Sequence, residues 1–315
     1  MKRLFPAIFI ALFFTAALSA GGQKARSGAG NPGAVNVVTT IFPSYDFVRV
    51  IAGDKANLTL LLPPGAESHS FEPTPQDIIR VQNSALFIYV GGESDEWVDR
   101  ILDSIDTSKI KILALMDAVE VVEEEIVEGM EEEEEEEEGV AYDEHVWTSP
   151  KNAALIVQAI TDALCGIDGA NAGLYRQNTA AYLAALNELD GEFQTVVNNA
   201  RRKTLVFGDR FPFRYFADAY GLSYFAAFLG CSTETECSAA TIAFLIDKVK
   251  DEKIPVVFHI ELSNEKIADT IAEATGAKKL LFHACHNITR RDFDNGLTYM
   301  DLQRNNVGRL REALQ

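Results

Sequence analysis

The chain has few of the residues that bind transition metals: its 315 residues include only five histidines and four cysteines. No two cysteines have the C-x-x-C spacing of a zinc ribbon. The H-E-x-x-H sequence of helix-borne zinc peptidase sites is also missing. No segment interleaves basic and aromatic residues, so we expect no nucleic-acid partner. A metal site here must be assembled from scattered residues.

Basic residues are outnumbered, and the formal net charge is −19. Sixteen of the 47 acidic residues lie between Asp117 and Glu144, a stretch without Lys or Arg. The remaining 31 nearly balance the 28 basic residues, so the excess charge is local. Self-repulsion predicts a mobile acidic loop over 119–139, which includes eight consecutive glutamates, Glu131 to Glu138.

The first residues indicate export. A basic start, Met1 to Arg3, precedes an apolar run from Leu4 to Leu18, which is shorter than a membrane span. Small residues follow, so we predict a cleaved signal peptide over 1–20 and a flexible linker over 21–33. No cysteine stands at the cleavage point, so a bacterial lipid anchor is not supported. We expect the protein in the periplasm or at the outer face of the cytoplasmic membrane.

Export to an oxidising compartment makes an even number of cysteines a candidate disulfide set, and we predict one or two bonds. Cys231 and Cys285 both follow strand-like runs in the same half of the chain. Neighbouring strand ends can bring Cα atoms within the roughly 4.4–6.8 Å that a disulfide needs. We therefore predict a Cys231–Cys285 bond and leave Cys165 and Cys237 open.

Short β-type runs alternate with helical patterns, which predicts parallel α/β structure. Apolar residues at spacings of three and four predict one long helix from about Ala172 to Ala200. With four strands on each side, this helix would connect two pseudo-symmetric lobes, each a roughly four-stranded parallel sheet. The predicted units are a metal-binding lobe over 34–170, the helix over 171–202 and a second lobe over 203–315. The predicted strands are Val35–Ile41, Leu58–Leu62, Leu86–Val90, Ile110–Leu115, Thr204–Phe207, Leu222–Ala226, Pro255–Ile260 and Leu280–Phe282.

Several metal-binding side chains stand at or just after predicted strand ends. Ligands of open parallel sheets bind outside the carboxyl ends of the strands. Imidazoles and carboxylates that converge in a cleft suit a borderline metal such as Zn²⁺. The candidates come from both halves of the chain: His69, His145, Asp209, Glu261, His283 and His286.

Four motifs carry a family resemblance. The loop PPGAESHSFEPTP (63–75) resembles the PPGxxPHxYEPTP motif of the zinc/manganese class of ABC-importer solute-binding proteins, the ZnuA-like family. EHVWTSP (144–150) resembles its DPHVWLSP motif. Phe213 to Leu222 and Thr298 to Val307 resemble two further stretches, in the family's order. The resemblance implies that His69 and His145 bind metal and that a membrane permease receives the ion.

Two departures leave the remaining ligands open. The family's third histidine is missing here, where Asp209 could substitute and Arg210 cannot bind a cation. The family's last ligand is an aspartate whose position His283 takes, with His286 and Glu261 as competitors. A glutamate-rich loop also replaces the histidine-rich loop of zinc-specific members.

The resulting expectation is a monomeric, non-catalytic protein that carries zinc to an ABC importer. Manganese is the alternative cargo, although it prefers more oxygen ligands. Two other functions stay open: an exported zinc hydrolase with Glu261 or Glu72 as general base, and a metal-binding adhesin on the same fold.

Overall fold

A computed structural model describes residues 31–66, 71–130, 141–232 and 236–315. The predicted signal peptide, 1–20, and the linker up to residue 30 lie outside these ranges. Within them, no helix combines the length and the apolar character that a membrane crossing requires.

Two four-stranded parallel sheets form the framework, and both have the same strand order. The first is ordered β2-β1-β3-β4 and the second β6-β5-β7-β8. In each sheet the second strand lies on one side of the first, and the third and fourth strands lie on its other side. This repetition confirms the predicted pair of pseudo-symmetric lobes. The strands are β1 (Val35–Thr39), β2 (Ala56–Leu60), β3 (Leu86–Tyr89), β4 (Lys111–Ala114), β5 (Thr204–Arg210), β6 (Ser223–Phe228), β7 (Val256–His259) and β8 (Lys278–Leu281).

Helices connect the strands, and proline or capping residues mark several of their starts. Helix α2 begins at Pro75 with a capping box between Thr74 and Asp77, and α10 begins with the same arrangement of Thr298 and Asp301. The helices are α1 (Phe42–Ala52), α2 (Pro75–Gln82), α3 (Glu96–Ser104), α4 (Pro150–Ile167), α5 (Ala172–Asn198), α6 (Arg214–Tyr220), α7 (Ala239–Asp251), α8 (Lys266–Thr275), α9 (Arg290–Asp294) and α10 (Tyr299–Ala313).

Helix α5 is the predicted connecting helix, and its 27 residues span about 40 Å. Its buried residues recur at helical spacing and include Tyr175, Tyr182, Leu189 and Phe193. The helix packs against α1 and α4 of the first lobe and against α10. One continuous apolar cluster consequently runs through both lobes, from Val37 to Leu314.

Part of the predicted acidic loop lies against the second lobe. In residues 119–130, Glu124 accepts a hydrogen bond from the backbone N–H of Cys231 at 2.9 Å. Glu128 pairs with Lys248 at 3.1 Å. Gly129 packs so closely on Phe244 that an added Cβ would be 2.1 Å from the ring. Residues 119–130, here called the strap, therefore connect the first lobe to the second. Residues 131–139 lie outside the described ranges.

Candidate metal centre between the lobes

A cavity of about 230 Å³ lies where the carboxyl ends of strands from the second lobe face the first lobe. The first lobe contributes His145, from the segment before α4. The second lobe contributes Asp209 in β5, Glu261 after β7 and His286 after β8. Four of the six predicted site residues therefore line one cavity, as expected for strand ends in an open parallel sheet.

His145 is almost completely buried and is oriented by Asp143. The Oδ1 atom of Asp143 accepts the backbone N–H of His145 at 2.7 Å and lies 3.1 Å from its Nδ1. Burial disfavours the charged imidazole, but Asp143, Glu144 and Glu124 outweigh that effect and raise the pKa of His145. An imidazole whose Nδ1 faces a carboxylate presents Nε2 as its metal-binding nitrogen.

His286 reaches the cavity from the other lobe and faces His145. Their ring centroids are 5.3 Å apart and their planes are inclined by 82°. Trp147 lies beside both rings, with its centroid 4.9 Å from that of His286. The carbonyl of His286 accepts the backbone N–H of Phe42, at the start of α1, at 3.3 Å. The two imidazoles thus meet across the boundary between the lobes.

His283 has a different environment, although it is only three residues away. Its Nδ1 accepts the backbone N–H of Cys285 at 2.9 Å, and Asn306 bonds both its N–H and its carbonyl. Burial lowers the pKa of His283. Its side chain is 7% exposed and is not part of the cavity lining. The bonds of His283 stabilise the turn that follows β8.

The two carboxylates of the cavity hold backbone segments. Asp209 accepts the N–H groups of Arg210 and Ile260 at 2.9 and 3.1 Å, and burial raises its pKa. Glu261 accepts the N–H of Ala284 at 2.7 Å and that of His286 at 2.9 Å. Each carboxylate therefore joins two loops at the strand ends.

The predicted ligand His69 lies outside the described residues, which stop at Ala66 and resume at Phe71. The described edge of its loop is attached to the second lobe through Asn287. The side-chain amide of Asn287 donates to the carbonyls of Pro63 and Ala66 at 2.9 and 2.7 Å. Among the residues that the structure describes, no three His, Cys, Asp or Glu side chains form a group that could hold a metal ion.

The predicted Cys231–Cys285 disulfide is wrong, because neither Cys231 nor Cys285 forms a disulfide bond. Cys285 has a φ of +65° and is completely buried, with Gln303 donating to its sulfur at 3.6 Å. Cys231 instead lies beside the cavity, with its sulfur 4.0 Å from Nδ1 of His145. The two strand ends are in one lobe, as predicted, but the turn after β8 directs Cys285 into the core.

Sequence reasoning missed three residues that position the site: Asp143, Asn287 and Asn306. Asp143 had a local signal, since it precedes His145 by two residues and carboxylates commonly orient metal-binding histidines. Asn306 lies 23 residues from His283, and Asn287 lies more than 220 residues from the loop that it holds. Asn306 lies in the Thr298 to Val307 motif, but the motif gave no indication of its contact with His283, and Asn287 had no signal in the sequence.

A model of the family described as "Zinc-uptake complex component A periplasmic", ZnuA, matches residues 37–313. The chain belongs to this family. The match confirms the resemblance carried by the four motifs. Proteins of a zinc-uptake complex bind and transport their ligand, so the chain is a zinc-uptake solute-binding protein and not an enzyme. The hydrolase alternative is not retained.

Individual relatives agree with this assignment. The chain is 32% identical over 307 residues to the high-affinity zinc uptake system protein ZnuA of Bacillus subtilis, covering 97% of this chain and 96% of that one. It is 32% identical over 282 residues to the zinc-binding lipoprotein AdcA of Streptococcus pneumoniae, covering 89% of this chain but only 56% of AdcA.

A solved structure shows the same fold. The Zn(II)-bound ZnuA-like domain of Streptococcus pneumoniae AdcA superposes with a TM-score of 0.74 at 29% identity. The superposition covers 90% of this chain and 99% of that domain. The ZnuA-like part of AdcA, rather than its whole length, is the counterpart of this chain.

Proposed function

We propose that this protein binds one zinc ion as cargo in the cleft, with His145 and His286 as ligands, and delivers it to an ABC permease. The observation that carries the proposal is the approach of these two imidazoles from different lobes, with ring centroids 5.3 Å apart. Zinc–nitrogen bonds are about 2.0–2.1 Å, so two imidazoles on one tetrahedral zinc ion have centroids roughly 5 Å apart. The separation in the cleft fits that arrangement.

The remaining ligands are proposed from motif and placement. His69 stands in the loop whose motif resembles the family's metal-binding loop. Asn287, the residue after His286, donates hydrogen bonds to the described edge of that loop. Asp209 lines the same cavity and stands next to the position of the family's missing histidine, and it would have to approach the two imidazoles when the metal binds. Three imidazoles and one carboxylate favour zinc over manganese, which prefers more oxygen ligands.

His286 is preferred to His283 as the ligand from the turn after β8. Nδ1 of His283 accepts a backbone N–H and lies 3.4 Å from Oε2 of Glu261, and His283 is not part of the cavity lining. His286 lines the cavity and faces His145. We therefore assign His283 to the support of the turn.

Delivery to a membrane permease requires export, which the predicted signal peptide over 1–20 would provide. A monomer suits this role, because the cleft is formed between two lobes of one chain. A strain in which the gene is deleted should grow poorly when zinc is scarce and should grow normally when excess zinc is added; this result would support the role in uptake.

Zinc affinity, measured by competition with a chelating dye, tests the ligand assignment. His145→Ala and His286→Ala should each weaken binding by at least 100-fold, because each removes a ligand. His259→Ala is the matched control, since His259 bonds the carbonyl of Ile260 at 3.1 Å and does not line the cavity. Wild-type affinity in both ligand variants would refute the proposed site.

His283→Ala separates the two histidines of the turn. A supporting residue should change zinc affinity by about 10- to 100-fold at most. If His283→Ala lost more zinc affinity than His286→Ala, and the two metal-free proteins were equally stable, His283 would be the ligand and His286 the supporting residue.

A further inference from the structure

The turn that carries His286 is fixed by one carboxylate from another strand end. Glu261 follows β7, and its side chain is only 6% exposed. Its Oε1 accepts the backbone N–H of His286 at 2.9 Å, and its Oε2 accepts that of Ala284 at 2.7 Å. Both oxygens of a buried carboxylate are therefore engaged with alternate residues of one turn.

The residue between those two N–H groups is in an unusual conformation. Cys285 has a φ of +65°, which few residues other than glycine adopt. The N–H groups on the two sides of a left-handed residue can converge on one anion, as in backbone anion-binding nests. Here the anion is the side chain of Glu261, 25 residues earlier in the chain.

The two hydrogen bonds that Glu261 accepts are stronger than those that a neutral acceptor would form at this position. Hydrogen bonds from N–H groups to a carboxylate are charge-assisted and stronger than neutral ones. A buried N–H that loses its partner carries the full desolvation penalty. The turn should therefore keep its conformation, and the ring of His286 its direction, only while the Glu261 carboxylate is in place.

We propose that Glu261 is a positioning residue, which fixes the backbone of His286 so that its imidazole faces His145 before metal arrives, and that it is not itself a metal ligand. This inference rests on the proposed function, because it assumes that His286 binds zinc. Both oxygens of Glu261 hold the turn that carries His286, whereas the backbone N–H groups that Asp209 accepts lie outside that turn. Preorganised ligands bind metal more tightly because no turn has to be ordered at the moment of binding.

A double-mutant cycle of zinc affinity distinguishes positioning from ligation. Glu261→Gln keeps the side-chain volume and one acceptor oxygen, but it removes the charge and presents an amide NH₂ to one backbone N–H. It should weaken zinc binding by about 10- to 100-fold in the wild-type background. In a His286→Ala background the same substitution should change affinity less than about twofold, because two residues that act as a unit are not additive.

Cobalt(II), a spectroscopic probe for the zinc site, gives an independent readout. At saturating cobalt, Glu261→Gln should retain the wild-type d–d absorption spectrum, because a positioning residue leaves the set of donor atoms unchanged. His286→Ala should change that spectrum, because a nitrogen donor is lost. A changed spectrum in Glu261→Gln would identify Glu261 as a ligand and overturn the inference.

Glu265→Gln is the matched control for the loss of a carboxylate at this strand end. Glu265 is half-exposed, pairs with Lys279 at 2.7 Å and is outside the cavity lining, so its variant should bind zinc within about twofold of wild type. Thermal unfolding of the metal-free proteins shows whether Glu261→Gln is folded. If it is not, Glu261→Asp, which keeps the charge, takes its place in the cycle with the same expected non-additivity.

The outcomes separate this inference from the proposed function. Equal losses from Glu261→Gln in both backgrounds, with His286→Ala itself weakened, would overturn the positioning role alone. Wild-type zinc affinity in His286→Ala would overturn the assignment of His286 and the positioning role together.

Discussion

Asp95 shows at the scale of one residue how the first lobe buries a carboxyl group close to the proposed metal site. Its Oδ2 accepts the N–H groups of Val90 and Gly91 at 2.7 and 3.3 Å. Burial, and to a smaller extent the negative charge of Glu144, raise the pKa of Asp95 to about 6, against the effect of those hydrogen bonds. Asp95 is thus a titratable group close to the site whose protonation the fold favours.

The raised pKa of Asp95 predicts a pH-dependent stability. The folded state binds this proton more tightly than the unfolded state, whose pKa is near 3.8. The stabilisation is therefore full below about pH 4 and is lost as pH rises through about 6. Two pKa units correspond to at most about 3 kcal/mol. Asp95→Asn should remove this slope and raise the free energy of unfolding at pH 7 relative to wild type.

Urea unfolding of metal-free protein between pH 4 and 7.5 measures the effect. Asp99→Asn is the control, because Asp99 is exposed on α3, next to the same loop. Parallel stability–pH curves for wild type and Asp95→Asn would show that Asp95 ionises normally.

At the scale of elements, two glycines illustrate opposite constraints. Gly191 lies within α5 with open space where a Cβ would stand. Gly208 lies in β5, where an added Cβ would be 2.5 Å from the Cα of Ala268 in α8. The first glycine only weakens a helix, whereas the second allows a helix to lie directly on a strand beside Asp209.

Gly191→Ala should therefore stabilise the protein by about 0.5–1 kcal/mol, since alanine restricts the unfolded chain and favours helix. Gly208→Ala should destabilise it by about 1–3 kcal/mol, because the α8 backbone must move. Thermal unfolding of both variants checks the signs. Destabilisation by Gly191→Ala would mean that α5 needs a flexible point there.

The same scale explains the outcome for the acidic segment. Its charge predicted a mobile loop, but residues 119–130 also contain apolar side chains that pack against the core, including Val122, Val127 and Met130. Lys248 and Arg214 of the second lobe pair with Glu128 and Glu125. Complementary charge on a distant surface offset the self-repulsion on which the prediction was based.

At the scale of the whole molecule, the run Glu131 to Glu138 comes directly after the strap, residues 119–130, in the chain. Clustered carboxylates without imidazoles bind zinc weakly, and exposed charges are screened at physiological salt. Deletion of Glu131 to Glu138 should leave the tight zinc affinity within about twofold of wild type and remove only low-affinity ions. Isothermal titration calorimetry measures both classes. If the deletion abolished tight zinc binding, the deleted segment would have to contain part of the metal site.

Much of the architecture could be predicted from the sequence, because the signals are local. The short β-type runs overlap all eight strands, and helical spacing of apolar residues placed α5 within two residues of its observed ends. The position of His145 before α4 was also readable, since Pro150 at the first helical turn marks the start of that helix.

Other features of the site were decided only by tertiary structure. His283 and His286 are three residues apart in an irregular turn, so no periodicity tells which one faces the cleft. Their directions depend on Glu261, on Asn306 and on the positive φ of Cys285, which also turns its thiol away from Cys231. The contacts of Glu261 and Asn306 join residues more than 20 positions apart in the chain, and the sheet and α10 bring them together only after the whole lobe has folded.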